Sequence, residues 1–185
     1  MGEQHKKHSR REHLNDFHLN VAGEYVYDGA LYACQSDDAK QRRSKRAVWG
    51  MAAILIVAVI AGGCIPAPGM QNCFYVLLPY LGEFLGAASV IWALAKLGMD
   101  WGTVREYNYK KSVAVLPVRT AVTAVFSLLG IVCELIFFFV NDHAGQTFFA
   151  LLYVLLKLTA LLSALVLRAE IMQAEWDKLP KKDNF

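Results

Sequence analysis

Known catalytic motifs are missing from this sequence. It has no GxSxG, HExxH, P-loop or GxGxxG pattern, and no two cysteines have the CxxC spacing. The apolar stretches contain neither histidine nor aspartate, so a serine among them has no histidine to act as its base and no aspartate pair can form. Four of the five histidines lie before residue 19, in a basic stretch that contains no cysteine. We therefore expect a protein that is not an enzyme and that has neither a metal site nor a cofactor.

Charge is scarce in four long parts of the chain. Hydrophobic residues make up 56% of the sequence and the mean hydropathy is +0.32, which is too apolar for an ordinary soluble domain. Each apolar part is long enough to cross about 30 Å of hydrocarbon as a helix. We predict an all-α integral membrane protein with tails at 1–46 and 169–185. The four transmembrane helices, spans one to four, are expected at about 47–65, 73–97, 117–140 and 148–168.

Positive charge is absent from the two segments 66–72 and 141–147. Of the 19 Lys and Arg residues, all except Lys157 lie before the first span, between Lys96 and Arg119, or after residue 167. Because Lys and Arg remain on the cytoplasmic side of a membrane, this distribution predicts that both termini are cytoplasmic. We expect the protein in the cell membrane, and since topology explains its basic residues, we expect no nucleic-acid partner.

The N-terminal tail contains one pattern that is typical of a β-hairpin, at residues 24–33. Two short runs with β-forming residues flank Asp28-Gly29, a pair suited to a type I′ turn. In this hairpin Tyr25 would face Tyr32. A lone hairpin is only marginally stable in water, so it should pack against another part of the protein, a partner or the lipid headgroups.

Two cysteines flank the first outer loop, Cys64 before it and Cys73 after it. Prolines and a glycine in this loop can reverse the chain, and the outer side of a membrane can be oxidising. A disulfide that joins spans one and two is therefore possible, and two free thiols are the alternative.

Three charged residues lie well inside the predicted spans, away from their ends: Glu83, Glu134 and Lys157. Counting inward from the outer loops places Glu83 and Lys157 about 14 Å deep and Glu134 about 9 Å deep. A charge that faces lipid costs about 2.5–3.5 kcal/mol on insertion scales. We therefore expect Glu83 to pair with Lys157, whereas Glu134 is protonated or shares the lysine.

Small and polar residues accompany these charges at helical spacing. On span three, steps of three and four residues place one polar stripe, Thr120, Thr123 and Ser127, on the same face as Glu134. On span two, Gly82 and Gly86 form a GxxxG pair that lets another helix approach closely. We expect spans two, three and four to surround a polar interior, with span one packed alongside.

Three interpretations of the charged cluster remain open. It is an ion pair that fixes helix register, a surface for assembly with other membrane subunits, or part of a proton or ion pathway. We expect a non-catalytic accessory or assembly subunit of a membrane complex, which contacts the lipid bilayer and either a membrane-protein partner or a second copy. The alternative is a small proton- or ion-coupled transporter, which would need to oligomerise because four spans rarely enclose a path alone.

Overall fold

A computed structural model describes residues 17–19, 23, 25–27, 29–35, 37–98, 101–141 and 146–179 of the chain. The helices are α1 (Asp38–Cys64), α2 (Pro68–Asn72), α3 (Phe74–Leu97), α4 (Glu106–Lys111), α5 (Leu116–Val140) and α6 (Thr147–Gln173). The strands are β1 (Phe17–Leu19), β2 (Tyr25–Tyr27), β3 (Leu31–Cys34), β4 (Val104–Arg105) and β5 (Trp176–Lys178). Among these elements α1, α3, α5 and α6 are long and apolar enough to cross a membrane, which confirms the prediction of a mainly helical chain with four such helices.

The four long helices form an antiparallel bundle. Helix α1 packs mainly on α6 and less extensively on α3, while α5 packs on both α3 and α6. The buried positions of α1 are apolar or glycine, and include Leu55 and Val59. Helix α1 thus adds no charge to the interior.

The outward surface of the bundle is as apolar as its core. Large apolar side chains are exposed on all four long helices, among them Val57, Leu85, Phe139 and Leu151. A monomeric soluble protein rarely exposes continuous apolar surface of this kind, so the surface needs a non-aqueous surrounding or a covering partner.

Proline and glycine mark several helix boundaries. Pro68 and Pro117 lie in the first turns of α2 and α5, where a missing backbone N–H leaves no hydrogen bond unmade. Gly98 follows α3 with a φ of 71°, a conformation that favours glycine. Helix α1 begins at Asp38, so the basic residues between Lys40 and Arg46, directly ahead of the predicted first span, belong to the same helix.

A three-stranded antiparallel sheet with the order β4-β3-β5 lies at one end of the bundle, which we call the sheet end. In this sheet Tyr32 is opposite Val104 on one side and Lys178 on the other. The sheet therefore joins segments from before α1, between α3 and α5, and after α6. The opposite end carries α2 and is called the loop end.

The predicted hairpin at 24–33 is wrong in its pairing, although strands form on both sides of Asp28-Gly29. Strand β2 pairs with β1, where Tyr25 is opposite Leu19 rather than Tyr32. A strand has two edges for hydrogen bonding, and β4 and β5 occupy both edges of β3. The local turn signal could not indicate these distant partners.

Aromatic rings hold the sheet against the bundle. The rings of Tyr32 and Tyr109 are stacked with their centroids 4.2 Å apart and their planes within 3°. The Trp176 ring lies 6.0 Å from the rings of both Trp101 and Tyr109. These contacts give the sheet the support that a lone hairpin would lack.

The disulfide between Cys64 and Cys73 is not formed, and both residues are free thiols. Cys64 is the last residue of α1, and Cys73 precedes α3. Helix α2 fills most of the intervening loop and packs against α3, α5 and α6, so the loop folds back on the bundle without a covalent bond.

Candidate functional site: a buried ion pair

Helices α3 and α6 bring Glu83 and Lys157 into direct contact inside the bundle. The Lys157 ammonium donates a hydrogen bond to Glu83 Oε2, and the two groups form an ion pair. Glu83 is 0% exposed and Lys157 is 1% exposed. A pair buried this completely is held in place because either charge alone would be strongly destabilising there.

Ser127 on α5 supplies the second partner of Glu83. Its Oγ donates a hydrogen bond of 2.6 Å to Glu83 Oε1, so each carboxylate oxygen has a hydrogen-bond donor. The ion pair and this hydrogen bond together connect α3, α5 and α6. The contact at Gly130 also brings α5 close to α6, since a Cβ placed there would lie 3.6 Å from Lys157 Cε.

Two tyrosine rings face the lysine. The Lys157 ammonium lies 4.6 Å from the ring centroid of Tyr80 and 5.0 Å from that of Tyr153. Cation–π contacts of this kind are favourable where water is excluded. Tyr80 is not predicted from the sequence as part of this cluster, although its position three residues before Glu83 places both on the same face of α3.

Glu134 lies apart from the pair, toward the loop end. Its Oε1 accepts a long hydrogen bond of 3.4 Å from the backbone N–H of Gly69 in α2, and its Oε2 has no hydrogen-bond partner among the described residues. A Cβ at Gly69 would lie 2.2 Å from Glu134 Oε2, so only glycine permits this approach. Of the two expectations for Glu134, the sharing of Lys157 is not observed, because the lysine bonds to Glu83.

The polar stripe is buried, and its hydroxyl groups bond mainly within α5. Thr120 Oγ1 donates to Leu116 O and Thr123 Oγ1 to Arg119 O, each at 2.9 Å. Ser127 also approaches the Thr123 carbonyl, at 3.1 Å, and is the one member of the stripe whose hydroxyl bonds to another helix. The two threonines therefore satisfy their own hydroxyl groups locally.

The GxxxG pair mediates packing within the chain. A Cβ at Gly82 would lie 2.5 Å from the Phe126 ring, and one at Gly86 would lie 2.6 Å from Thr123 Oγ1. Both neighbours belong to α5. The close helix approach expected from this motif is thus between α3 and α5 of the same molecule.

Further polar contacts connect the helices at the sheet end, and none of them is predicted from the sequence. Arg119 Nη1 donates to the Ser89 carbonyl at 2.6 Å, and Arg168 Nη1 donates to the Pro117 carbonyl at 3.0 Å. Ser44 Oγ donates to Glu170 Oε2 at 2.9 Å and so connects α1 to α6. A basic residue at a helix end does not indicate by itself which other helix it contacts.

Comparison with models of known families, with curated proteins and with solved structures gives no match to this chain. Among the described residues, no group of three or more His, Cys, Asp or Glu side chains is arranged to hold a metal ion. What the site can do chemically therefore follows from its own residues. They form a buried ion pair with one further hydrogen bond, from Ser127, and a separate carboxyl group with one oxygen unpartnered among the described residues.

Proposed function

We propose that the chain is an integral protein of the cell membrane with its sheet end and both termini in the cytoplasm. Four helices of membrane-spanning length with apolar outward surfaces support insertion. The distribution of Lys and Arg supports the orientation, because these residues flank the sheet end and none occurs in the loop that contains α2.

Within that membrane, the protein acts as a non-catalytic accessory or assembly subunit of a complex. The observation that carries this proposal is the three-stranded sheet, which collects the three segments at the sheet end into one surface with two edge strands. The intramembrane charges are a weaker basis for assembly, since Glu83 and Lys157 satisfy each other and the GxxxG pair packs on α5. The partner, or a second copy, would therefore bind at the cytoplasmic face.

A small oligomeric transporter is the second candidate, and Glu134 is the observation in its favour. This carboxyl group is fully buried, and its Oε2 has no hydrogen-bond partner among the described residues. A carboxyl group that is incompletely bonded inside a membrane is a common component of proton and ion pathways.

Reconstitution separates the two candidates. The purified protein is placed in liposomes, and proton and ion flux is compared for wild type, Glu83→Gln, Glu134→Gln and Lys157→Met. We expect no flux above that of empty liposomes in any of them. Flux that disappears in the carboxylate variants would instead establish the transporter.

Cross-linking in cells tests the accessory function directly. Cys34 lies in β3 at the sheet end, so a variant with Cys34 as its only cysteine carries one reactive group on the proposed surface. We expect cross-linking to join the chain to one membrane protein, or to a second copy of itself, at a constant ratio of partner to chain. This product should disappear in the Cys34→Ser control. If cross-linking gives no defined product and the liposomes show flux, the accessory function is excluded.

A further inference from the structure

A cavity of about 290 Å³ opens at the sheet end, between the beginning of α1, the end of α6 and β3. Small-molecule sites commonly begin at about this volume. The lining includes charged, amide and aromatic side chains: Lys40, Gln41, Arg43, Trp101, Glu170 and Gln173.

The cations of this cavity are available for a ligand. Lys40 and Arg43 are exposed, and neither side chain makes a hydrogen bond or ion pair with another described residue. Glu170 is the one acidic residue in the lining, and one of its oxygens already accepts the hydrogen bond from Ser44. The charged lining therefore carries one more positive than negative charge, which matches a ligand with a single negative charge.

Trp101 provides an independent indication of a ligand. The side chain lines the cavity and is only 4% exposed, yet its indole N–H has no hydrogen-bond partner among the described residues. Buried polar groups are almost always hydrogen-bonded, so this donor lacks the acceptor that it needs. Because the N–H itself has almost no accessible surface, an acceptor in the cavity would reach it only after a small movement of the ring.

The position of the cavity along α1 indicates where that acceptor comes from. Arg43 and Lys40 precede the apolar stretch that begins at Ala47 by four and seven residues, or about 6–10 Å of helix. The headgroup region extends about 5–8 Å beyond each side of the hydrocarbon core. With the chain inserted as proposed above, Arg43 lies at the level of the cytoplasmic headgroups, and Lys40 lies just beyond that level, within reach of its long side chain.

We propose that this cavity binds the headgroup of an anionic glycerophospholipid that carries one phosphate diester and free hydroxyl groups, such as phosphatidylglycerol. Lys40 and Arg43 bind the phosphate through charge-assisted hydrogen bonds, and the Trp101 N–H is a further donor. The Glu170 carboxylate accepts hydrogen bonds from the hydroxyl groups, and the amides of Gln41 and Gln173 both donate to and accept from them. This inference rests on the membrane insertion proposed above, and it does not depend on whether the protein is a subunit or a transporter.

Native mass spectrometry of the purified protein in a non-ionic detergent tests the site. Phosphatidylglycerol is titrated against wild type, with phosphatidylcholine as the zwitterionic control lipid. We expect one saturable phosphatidylglycerol per chain, and weakening of about tenfold in Arg43→Gln because a hydrogen bond between charged groups is lost. Arg46→Gln is the matched control, since it removes the same charge from an exposed position on α1 outside the cavity.

Two further arms identify the part of the ligand that is recognised. Trp101→Phe keeps an aromatic ring but removes the N–H, and it should weaken binding of phosphatidylglycerol by a few fold. Lys40→Gln should weaken binding by about as much as Arg43→Gln. Glycerophosphoglycerol presents the soluble phosphodiester headgroup alone, and it should not displace the lipid at equal concentration.

Equal weakening by Arg43→Gln and Arg46→Gln would overturn the proposal, because binding would then reflect the general positive charge of α1. Displacement of the lipid by glycerophosphoglycerol would assign the cavity to a soluble phosphate ester instead. Failure of the proposed membrane orientation would be detected separately, by the cysteine labelling described in the Discussion. Unchanged thermal unfolding of each variant identifies those whose loss of binding is not a loss of fold.

Discussion

Glu83 and Lys157 stabilise the bundle only as a pair. Replacing the lysine alone, in Lys157→Met, leaves a fully buried carboxyl group without its cation, and breaking a buried pair in this way costs about 3–5 kcal/mol. The double variant Lys157→Met with Glu83→Gln removes both charges, so we expect it to be more stable than the single variant. Unfolding in detergent micelles, followed by circular dichroism, measures the difference.

Lys96→Met is the matched control for this comparison. Lys96 is exposed near the end of α3, so the same substitution there should change the free energy of unfolding by less than about 1 kcal/mol. Equal stability of Lys157→Met and the double variant would show that the two residues do not depend on each other.

Sequence alone predicted this pair because depth and charge sign are both readable along a helix. Glu83 and Lys157 fall at equal depth in spans two and four, and a buried lysine needs an anion. Glu134 could not be placed in the same way. Its neighbour Gly69 comes from a loop that folds back on the bundle, and this path depends on contacts between α2 and three other helices.

The packing of α3 on α5 depends on the absence of a side chain at Gly86. A Cβ there would lie 2.6 Å from Thr123 Oγ1 and 3.3 Å from the Thr123 backbone, and Thr123 is fully buried. We expect Gly86→Ala to destabilise the bundle by about 1–3 kcal/mol, the usual effect of overpacking. Thermal unfolding in micelles is the measurement.

Gly50→Ala is the control for this substitution. Gly50 also lies within a helix, α1, but no atom is within 4 Å of a Cβ built there. Alanine favours a helix over glycine by about 0.5–1 kcal/mol, so Gly50→Ala should be neutral or stabilising. A destabilisation of the same size at both positions would mean that the close α3–α5 approach is unimportant.

The proposed orientation of the helices can be read from the chain's own cysteines. Cys64 is exposed at the loop end of α1, whereas Cys34 lies in β3 at the sheet end. A membrane-impermeant maleimide applied to intact cells should label the wild type, and labelling should be lost when Cys64 and Cys73 are both replaced by serine. That double variant should become labelled through Cys34 only after permeabilisation. Labelling of Cys34 in intact cells would reverse the proposed orientation.

At the level of elements, the sequence predicts the long helices and the strands on both sides of Asp28-Gly29, but not how the strands pair. A helix of membrane-spanning length is encoded in a continuous apolar stretch, and its hydrogen bonds are local. The strand pairs are not local, because β3 bonds to segments about 70 and about 145 residues away in sequence. Residues 28 and 29 have the composition of a turn, but that composition does not determine which strands pair.

At the scale of the whole molecule, the three-stranded sheet connects the segments that precede and follow the helix bundle. Strand β5 follows α6, the last helix, and pairs with β3 ahead of α1, so the two ends of the helical region are fastened to each other at one place. Ring contacts of Trp176 with Trp101 and Tyr109 extend this connection to the segment between α3 and α5. The sheet should therefore open as one unit.

Trp176→Ala tests that cooperativity. Removing the ring eliminates two aromatic contacts and reduces the packing beneath the sheet, so we expect faster hydrogen–deuterium exchange in β3 and β4 as well as in β5. Exchange in the middle of α5 should remain slow, since the Glu83–Lys157 pair and its Ser127 contact are unaffected. Trp92→Ala is the control, because Trp92 is exposed on α3 and its described ring contact is with Lys96 of the same helix. Faster exchange confined to β5 would mean that the three strands open independently, and the sheet could not then act as one binding surface.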